Sequence, residues 1–162
     1  MTMNAPDWIR SKAVKAPNLA AMTERAVADL VAMGGDVALV CGPISTGGLG
    51  DIGKNLEVFN ATIASLRRSD PAVFDTLPYE AGIVDLRNAW EADPAHAGRK
   101  FSTELMADFY RPLCEHKALT HAYFIPGWEG SFGATLQRGM LIAFKRRIVD
   151  LPADWSRTFR MH

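Results

Sequence analysis

A continuous apolar run, Val37–Cys41, constrains the fold of this 162-residue chain more than any other segment. Glycine bounds the run on both sides, at Gly34-Gly35 and at Gly42. A short apolar run between glycines indicates a strand that is buried on both faces, and such strands are typical of parallel sheets. Because parallel strands are joined by crossover connections that are usually helical, the chain is predicted to be an α/β protein.

The remainder of the chain alternates between helical and strand-like patterns. Helices are predicted from Asn18 to Met33, over Leu56–Leu66, over Ile83–Trp90, from Ser102 through Leu113 and over 133–145, and further strands at Ala72–Asp75, Ala122–Ile125 and Ile148–Leu151. This alternation predicts an open, mostly parallel sheet of four to five strands flanked by helices, with an extra helix at the N-terminal end. We expect a single domain at residues 18–162 after an irregular lead-in at residues 1–17.

The composition argues against several classes of protein. Eighteen Lys and Arg residues balance eighteen Asp and Glu residues, whereas a general nucleic-acid binder normally carries a basic excess. No apolar run approaches the ~20 residues of a membrane helix. The two cysteines are too few for a disulfide framework, and the four histidines lack zinc-ligand spacing. We therefore expect a cytoplasmic protein that binds neither duplex nucleic acid nor membrane and contains no metal or other cofactor.

Two glycine-rich loops follow predicted strands, at residues 42–53 and 126–133. In open α/β sheets, ligands bind at the carboxyl ends of the strands, so the two loops face one crevice if their strands are neighbours. Helix-start N–H groups attract anions because they lack partners within the helix. A phosphate or ribosyl group is therefore predicted to contact Gly42, Ser45, Thr46, Gly47, Gly48, Ser131 and Gly133, with Trp128 able to stack on a base.

The first loop also permits a different interpretation. Gly48–Gly53 matches the GxGxxG pattern of dinucleotide-binding proteins. In that fingerprint the glycines follow the strand almost at once, whereas here the six residues Gly42–Gly47 intervene. A NAD- or flavin-binding oxidoreductase and a simple flexible loop both remain open alternatives.

The segments VALVCGPIS (37–45), FNATIASL (59–66) and AYFIPGWEGSFGATLQRG (122–139), with VFD and RIVDL, together resemble the nucleoside 2-deoxyribosyltransferase-like proteins. That superfamily includes deoxynucleoside 5′-monophosphate N-glycosidases, and the resemblance covers about residues 36–151. It implies a flavodoxin-like, Rossmann-like fold, usually a homodimer or larger homo-oligomer. It also implies a nucleoside or nucleoside 5′-monophosphate as ligand and cleavage or exchange of the N-glycosidic bond.

The chain departs from the family pattern at the catalytic position. In these proteins a glutamate six residues after the loop serine attacks the anomeric carbon, and in this chain the position is Gln137. An amide carries no negative charge and is a poor nucleophile, so losing about 4 kcal/mol of transition-state stabilisation would slow the step roughly a thousandfold. The candidate catalytic residues are therefore Gln137 itself, facing the ribose, and three acids that can restore catalysis: Glu129, Asp108 and Glu80.

The sequence leaves three functions open. The first is a diverged N-glycosidase or deoxyribosyltransferase, or a relative that has lost activity and still binds its nucleotide. The second is the dinucleotide- or flavin-binding oxidoreductase. The third is a non-catalytic nucleotide-sensing or assembly module that keeps only the scaffold.

Overall fold

The computed structural model describes residues 6–45, 47–99 and 103–159. Within them the chain forms six α-helices and three strands, in an α/β arrangement. In chain order these are α1 (Asp7–Arg10), α2 (Leu19–Ala32), β1 (Val37–Cys41), α3 (Ile52–Leu66), α4 (Leu77–Ala92), α5 (Thr103–Glu115), β2 (Leu119–Phe124), α6 (Phe132–Ala143) and β3 (Arg147–Asp150). Short 3₁₀ turns lie at Pro94–His96, Trp128–Gly130 and Trp155–Phe159.

The three strands form one parallel sheet in the order β1-β2-β3. Cys41 pairs with Phe124, and Phe124 pairs with Asp150. The loops that follow β1 and β2 therefore leave the same edge of the sheet from neighbouring strands, because parallel strands end on the same side.

The predicted sheet of four to five strands is wrong in number, since the described residues form three. The predicted strand at Ala72–Asp75 shrinks to a single bridge between Val73 and Ala38. Two contacts explain why it goes no further. The Val73 carbonyl accepts two hydrogen bonds from the Arg67 guanidinium, at 3.0 and 2.8 Å. The Asp75 carboxylate accepts the Leu77 N–H at 3.0 Å, which turns the chain into α4.

The core lies on both faces of the sheet, as the apolar run predicted. All five residues of β1 are buried. Val37, Leu39 and Cys41 belong to the cluster on one face, with side chains of α2, α5 and α6. Ala38 and Val40 belong to the cluster on the other face, with side chains of α3.

The lead-in is less irregular than its sequence indicates. It contains α1, and the Val14 N–H donates to the Pro78 carbonyl at 2.9 Å. At Gly82 of α4 a Cβ atom would come within 2.2 Å of the Val14 carbonyl oxygen. The lead-in therefore packs backbone to backbone against α4, and only glycine permits this approach.

None of the helices in the described ranges is both long and apolar enough to cross a bilayer.

Candidate functional site

The two glycine-rich loops meet at the carboxyl edge of the sheet. The Ile125 N–H, just after β2, donates to the carbonyl of Cys41 at 2.9 Å. A Cβ atom on Gly47 would come within 2.6 Å of the Gly130 carbonyl carbon, and one on Gly127 within 3.5 Å of Gly48 Cα. The backbones of the two loops are therefore in direct contact, and the predicted convergence on one edge is observed.

Asn55, on the first turn of α3, holds the first loop in shape. Its side-chain oxygen accepts the Leu49 N–H at 2.9 Å. Its amide nitrogen donates to the carbonyls of Ile44 and Gly47, at 3.0 and 3.2 Å. Asn55 is 4% exposed, so these three hydrogen bonds satisfy a buried amide, as a stable fold requires.

Ser131 joins the second loop to α6. Its buried hydroxyl oxygen accepts the Ala134 N–H at 3.2 Å, which is the arrangement of a helix N-cap. The preceding turn begins at Gly127, whose φ of +90° favours glycine. The second loop is thus fixed at both ends, by Gly127 at β2 and by Ser131 at α6.

A cavity of about 300 Å³ opens beside the two loops. Its wall combines loop residues with one face each of α4, α5 and α6. Apolar side chains form most of the wall, and polar groups come from both loops and from the three helices. The lining residues whose placement matters below are Gly42, Ser45, Glu80, Ile83, Val84, Arg87, Met106, Tyr110, Ser131, Gly133 and Gln137.

Six of the residues predicted for the site lie in this wall: Glu80 of α4, and five residues from the first loop and α6. Gly42 and Ser45 come from the first loop, and Ser131 and Gly133 come from the start of α6. Gln137, one turn farther along α6, is 8% exposed and also lines the cavity. The amide at the position of the family's glutamate is therefore in the cavity wall and not on the outer surface. The roles of these five residues remain predictions.

Glu80 is the one carboxylic acid in the described part of the cavity wall. It accepts a short hydrogen bond from the Tyr110 hydroxyl. Burial raises the pKa of Glu80 to about 7; the nearby Asp75 also raises the pKa, and the hydrogen bond from Tyr110 opposes the shift. Burial and the neighbouring Glu80 raise the pKa of Tyr110 well above its ordinary value. Near neutral pH Glu80 therefore exchanges a proton readily, while Tyr110 stays protonated.

The other two candidate acids do not line the cavity. Asp108 of α5 lies about 200° around the helix axis from both Met106 and Tyr110, which do line it. Its side chain is 61% exposed and 3.9 Å from the Arg111 guanidinium. Glu129 is exposed in the 3₁₀ turn of the second loop. Neither acid therefore reaches the cavity from its place in this structure.

Gly47 and Gly48 also lie outside the cavity wall. Gly47 faces Gly130, and a Cβ on Gly48 would meet Asn55 Oδ1 at 2.5 Å. Their missing side chains allow the loops to pack, and their contact with a phosphate or ribosyl group stays a prediction. Thr46 lies outside the described residues.

Trp128 is packed against protein instead of lining the cavity. Its ring packs edge-on against the Phe124 ring, with 5.6 Å between the ring centres. The Arg138 guanidinium carbon lies 4.2 Å from the centre of the Trp128 ring. Arg138 in turn donates two hydrogen bonds to Asp150, at 2.7 and 3.1 Å, which lower the pKa of Asp150. The Trp128 ring therefore already has structural partners in Phe124 and Arg138, and its stacking on a base stays a prediction.

Tyr110 and Arg87 line the cavity, and the sequence analysis did not single them out. A signal for Arg87 was present, because Glu80, Ile83, Val84 and Arg87 follow the i, i+3, i+4, i+7 spacing of one helix face. With Glu80 a candidate, that spacing places Arg87 on the same face. Nothing in the sequence distinguishes Tyr110 from its neighbours on α5.

Within the described residues, no group of three or more His, Cys, Asp or Glu side chains is arranged to hold a metal ion. Comparison with known proteins adds no family: no protein-family model, no curated protein and no solved structure matches this chain.

Proposed function

We propose that this protein binds a nucleoside 5′-monophosphate in the cavity and hydrolyses its N-glycosidic bond, with Glu80 as the acid–base group. The observation that carries the proposal is that one cavity wall contains both glycine-rich loops, Gln137 and an ionisable carboxyl group. The flavodoxin-like fold and the homo-oligomeric state that the sequence resemblance implies belong to this proposal too.

The size and chemistry of the cavity support a ligand of this class. A volume of about 300 Å³ lies at the lower end of the range of ~300–1,000 Å³ for small-molecule pockets. Apolar side chains such as Ile83 and Val84 provide a surface for a base. The hydroxyls of Ser45 and Ser131 and the Gln137 amide suit the hydroxyl and ring oxygens of a sugar.

Glu80 offers a route to hydrolysis that does not need the family's glutamate. In its carboxylate form it takes a proton from a water molecule whose oxygen attacks the anomeric carbon. The bond from that carbon to the base breaks, and its electron pair leaves with the base, which takes a proton from solvent. A general base is most effective when its pKa lies near the working pH, and the pKa of Glu80 is about 7. Gln137, which cannot form a glycosyl ester, would hydrogen-bond to the sugar.

The dinucleotide alternative has less support from the geometry. Its fingerprint requires bare glycine backbone facing the ligand at the start of a helix. Here Gly48 faces Asn55 and Pro43, and Gly53 lies inside α3, which begins at Ile52. Of the three glycines of the GxGxxG pattern, Gly48 is therefore used in loop packing.

The test is incubation of the protein with each common deoxynucleoside and nucleoside 5′-monophosphate, with free base measured by chromatography. We expect base release that Glu80→Gln reduces by about a thousandfold, a general-base loss within the usual range of ~10²–10⁴. Glu129→Gln is the matched control, and it should release base at the wild-type rate because Glu129 is exposed and outside the cavity wall.

Three outcomes separate the parts of this proposal. Release that survives Glu80→Gln refutes the role of Glu80. Binding of a monophosphate without release refutes the hydrolase and leaves a nucleotide-binding protein. Absence of both release and binding refutes the nucleotide assignment altogether.

A further inference from the structure

Arg87 is the one cationic side chain in the described part of the cavity wall. It lies two helical turns after Glu80 on the same face of α4, about 10 Å farther along the axis. Two of its guanidinium nitrogens, Nε and Nη2, are shielded from solvent. Neither has a hydrogen-bond partner among residues 6–45, 47–99 and 103–159.

An unpaired buried charge is costly. Shielding a polar N–H group without a hydrogen bond costs roughly 1–3 kcal/mol, and an unpaired charge costs more. Buried arginines are therefore normally paired with a carboxylate, a phosphate or carbonyl oxygens. Arg146 shows the usual arrangement, since its guanidinium donates to the carbonyls of Cys114, Glu115 and His116. Arg87 departs from that arrangement while lying in the wall of a cavity.

The shape of the guanidinium edge formed by Nε and Nη2 indicates which kind of partner would suit Arg87. Nε–H and one Nη–H of a guanidinium point in parallel and match two oxygens of one phosphate or carboxylate. A neutral hydrogen-bond acceptor would leave the charge uncompensated. The edge of Arg87 therefore suits an oxyanion better than an edge of a base.

The two glycine-rich loops provide fewer free groups for an anion than the sequence predicted. The Ser131 hydroxyl already caps α6, and Gly47 and Gly48 face protein outside the cavity wall. The other ionisable groups of the wall, Glu80 and Tyr110, are hydrogen-bonded to each other. Arg87 thus provides the positive charge of the described part of the cavity wall.

We infer that Arg87 binds the 5′-phosphate of the ligand and makes the cavity selective for nucleoside monophosphates over nucleosides. The inference rests on the proposed function and adds the group that selects the substrate. In a nucleoside monophosphate, the furanose ring and one methylene group separate the anomeric carbon from the phosphate. That separation fits a reacting carbon beside Glu80 and a phosphate farther along α4. Because Nε and Nη2 are shielded from solvent in this structure, the inference requires the long side chain to rotate so that these N–H groups face the cavity.

The experiment compares the affinities of the wild-type protein and Arg87→Met for each monophosphate and its matching nucleoside, with 2-deoxyribose 5-phosphate as a probe that lacks a base. We expect Arg87→Met to weaken both phosphorylated probes by about 10- to 100-fold, since each tenfold corresponds to about 1.4 kcal/mol. Nucleoside affinity should stay within about twofold. Arg87→Lys keeps the charge and loses the paired N–H groups. Its affinity for the phosphorylated probes should lie between those of the wild type and Arg87→Met.

Arg111→Met is the matched control, because Arg111 is exposed on α5 and lies outside the cavity wall. It should leave every affinity unchanged. Ligand-free Arg87→Met should unfold at the same temperature as the wild type or higher, because the shielded Nε and Nη2 have no hydrogen-bond partner to lose among residues 6–45, 47–99 and 103–159.

The failure of this inference differs from the failure of the proposed function. If the wild type prefers monophosphates and Arg87→Met keeps that preference, the phosphate binds elsewhere and the inference is overturned. If the wild type binds neither monophosphates nor nucleosides, the proposed function itself is overturned. A lower unfolding temperature for ligand-free Arg87→Met would show that Arg87 has a structural partner, which also overturns the inference.

Discussion

The environment of Glu80, and not its residue type, distinguishes it from the other two candidate acids. The sequence offers Glu80, Asp108 and Glu129 as equivalent acids, and nothing in their immediate neighbours separates them. The three acids differ in the folded protein because of helix register and burial. α4 turns Glu80 into the cavity beside Tyr110, while α5 turns Asp108 outward. Candidate acids can therefore be named from sequence, but the one that is buried and titrates near neutral pH cannot.

The raised pKa of Glu80 predicts that its ionisation destabilises the fold. Its folded pKa of about 7 lies above the ordinary value of 4.5, so between these pH values the folded protein holds a proton that the unfolded chain has lost. The free energy of unfolding therefore falls as pH rises through this window, by roughly 3 kcal/mol from this group. Glu80→Gln cannot ionise, so it should match the wild type near pH 4.5 and exceed its stability by that amount at pH 8.

Urea unfolding of both proteins from pH 4.5 to 8 measures this difference. Glu129→Gln serves as control, since an exposed carboxylate should leave the pH dependence unchanged. Parallel curves for the wild type and Glu80→Gln would contradict the prediction.

At the scale of elements, most helices and strands follow from local patterns. β1 occupies the predicted residues Val37–Cys41, and α2 begins after Asn18, whose side chain accepts the Ala21 N–H at 2.9 Å. The strand predicted at Ala72–Asp75 is wrong because nearby side-chain hydrogen bonds, which the apolar pattern does not record, end it. Arg67, from the end of α3, occupies the Val73 carbonyl, and the Asp75 side chain begins a helix. The contact between the two loops, in contrast, depends on residues that are far apart in sequence.

That contact can be tested with two glycines of the same loop. Gly47 and Gly50 have φ values of +71° and +75°, so alanine costs each about 1–2 kcal/mol of backbone strain. A Cβ on Gly47 would in addition meet Gly130 at 2.6 Å, whereas one on Gly50 meets nothing within 4 Å. Gly47→Ala should therefore lower the unfolding temperature more than Gly50→Ala.

Forcing the loops apart should also weaken ligand binding. Thermal unfolding with and without the nucleoside monophosphate that binds best checks both effects. Gly47→Ala should gain less stability from the ligand than Gly50→Ala does. Equal losses and equal gains for the two variants would show that the loop contact is unimportant.

At the scale of the whole molecule, the sheet and its helices enclose a core that the sequence indicated only in part. The buried faces of α2, α3 and α6 could be predicted from periodicity. The cavity could be predicted only as a crevice between two loops, because α4 and α5 complete its wall. The positions of those helices are set by packing, such as the approach of Val14 to Gly82, which no local pattern records.

The two buried cysteines can be used as probes of whether this core is folded. Cys41 and Cys114 lie in the same core cluster, 1% and 0% exposed. Burial raises the pKa of Cys41 well above its ordinary value and that of Cys114 to about 12. Both thiols should therefore resist a thiol reagent at pH 8, because the thiolate is the reactive form.

Labelling with a chromogenic disulfide across a urea gradient, compared with tryptophan fluorescence, checks this expectation. Reaction of both thiols should follow the fluorescence change, as for a core that opens as one unit. Labelling of Cys114 ahead of that change would show instead that α5 opens separately.

The lead-in that packs on Gly82 connects the first part of the chain to the cavity wall. Val14 packs against the same helix that carries Glu80 and Arg87, although it does not line the cavity itself. A substitution there, or a tag that pulls this segment away, would reposition Glu80 and Arg87 together. Substitutions at residues 13–15 are therefore expected to alter the proposed ligand specificity while every residue of the cavity wall is kept.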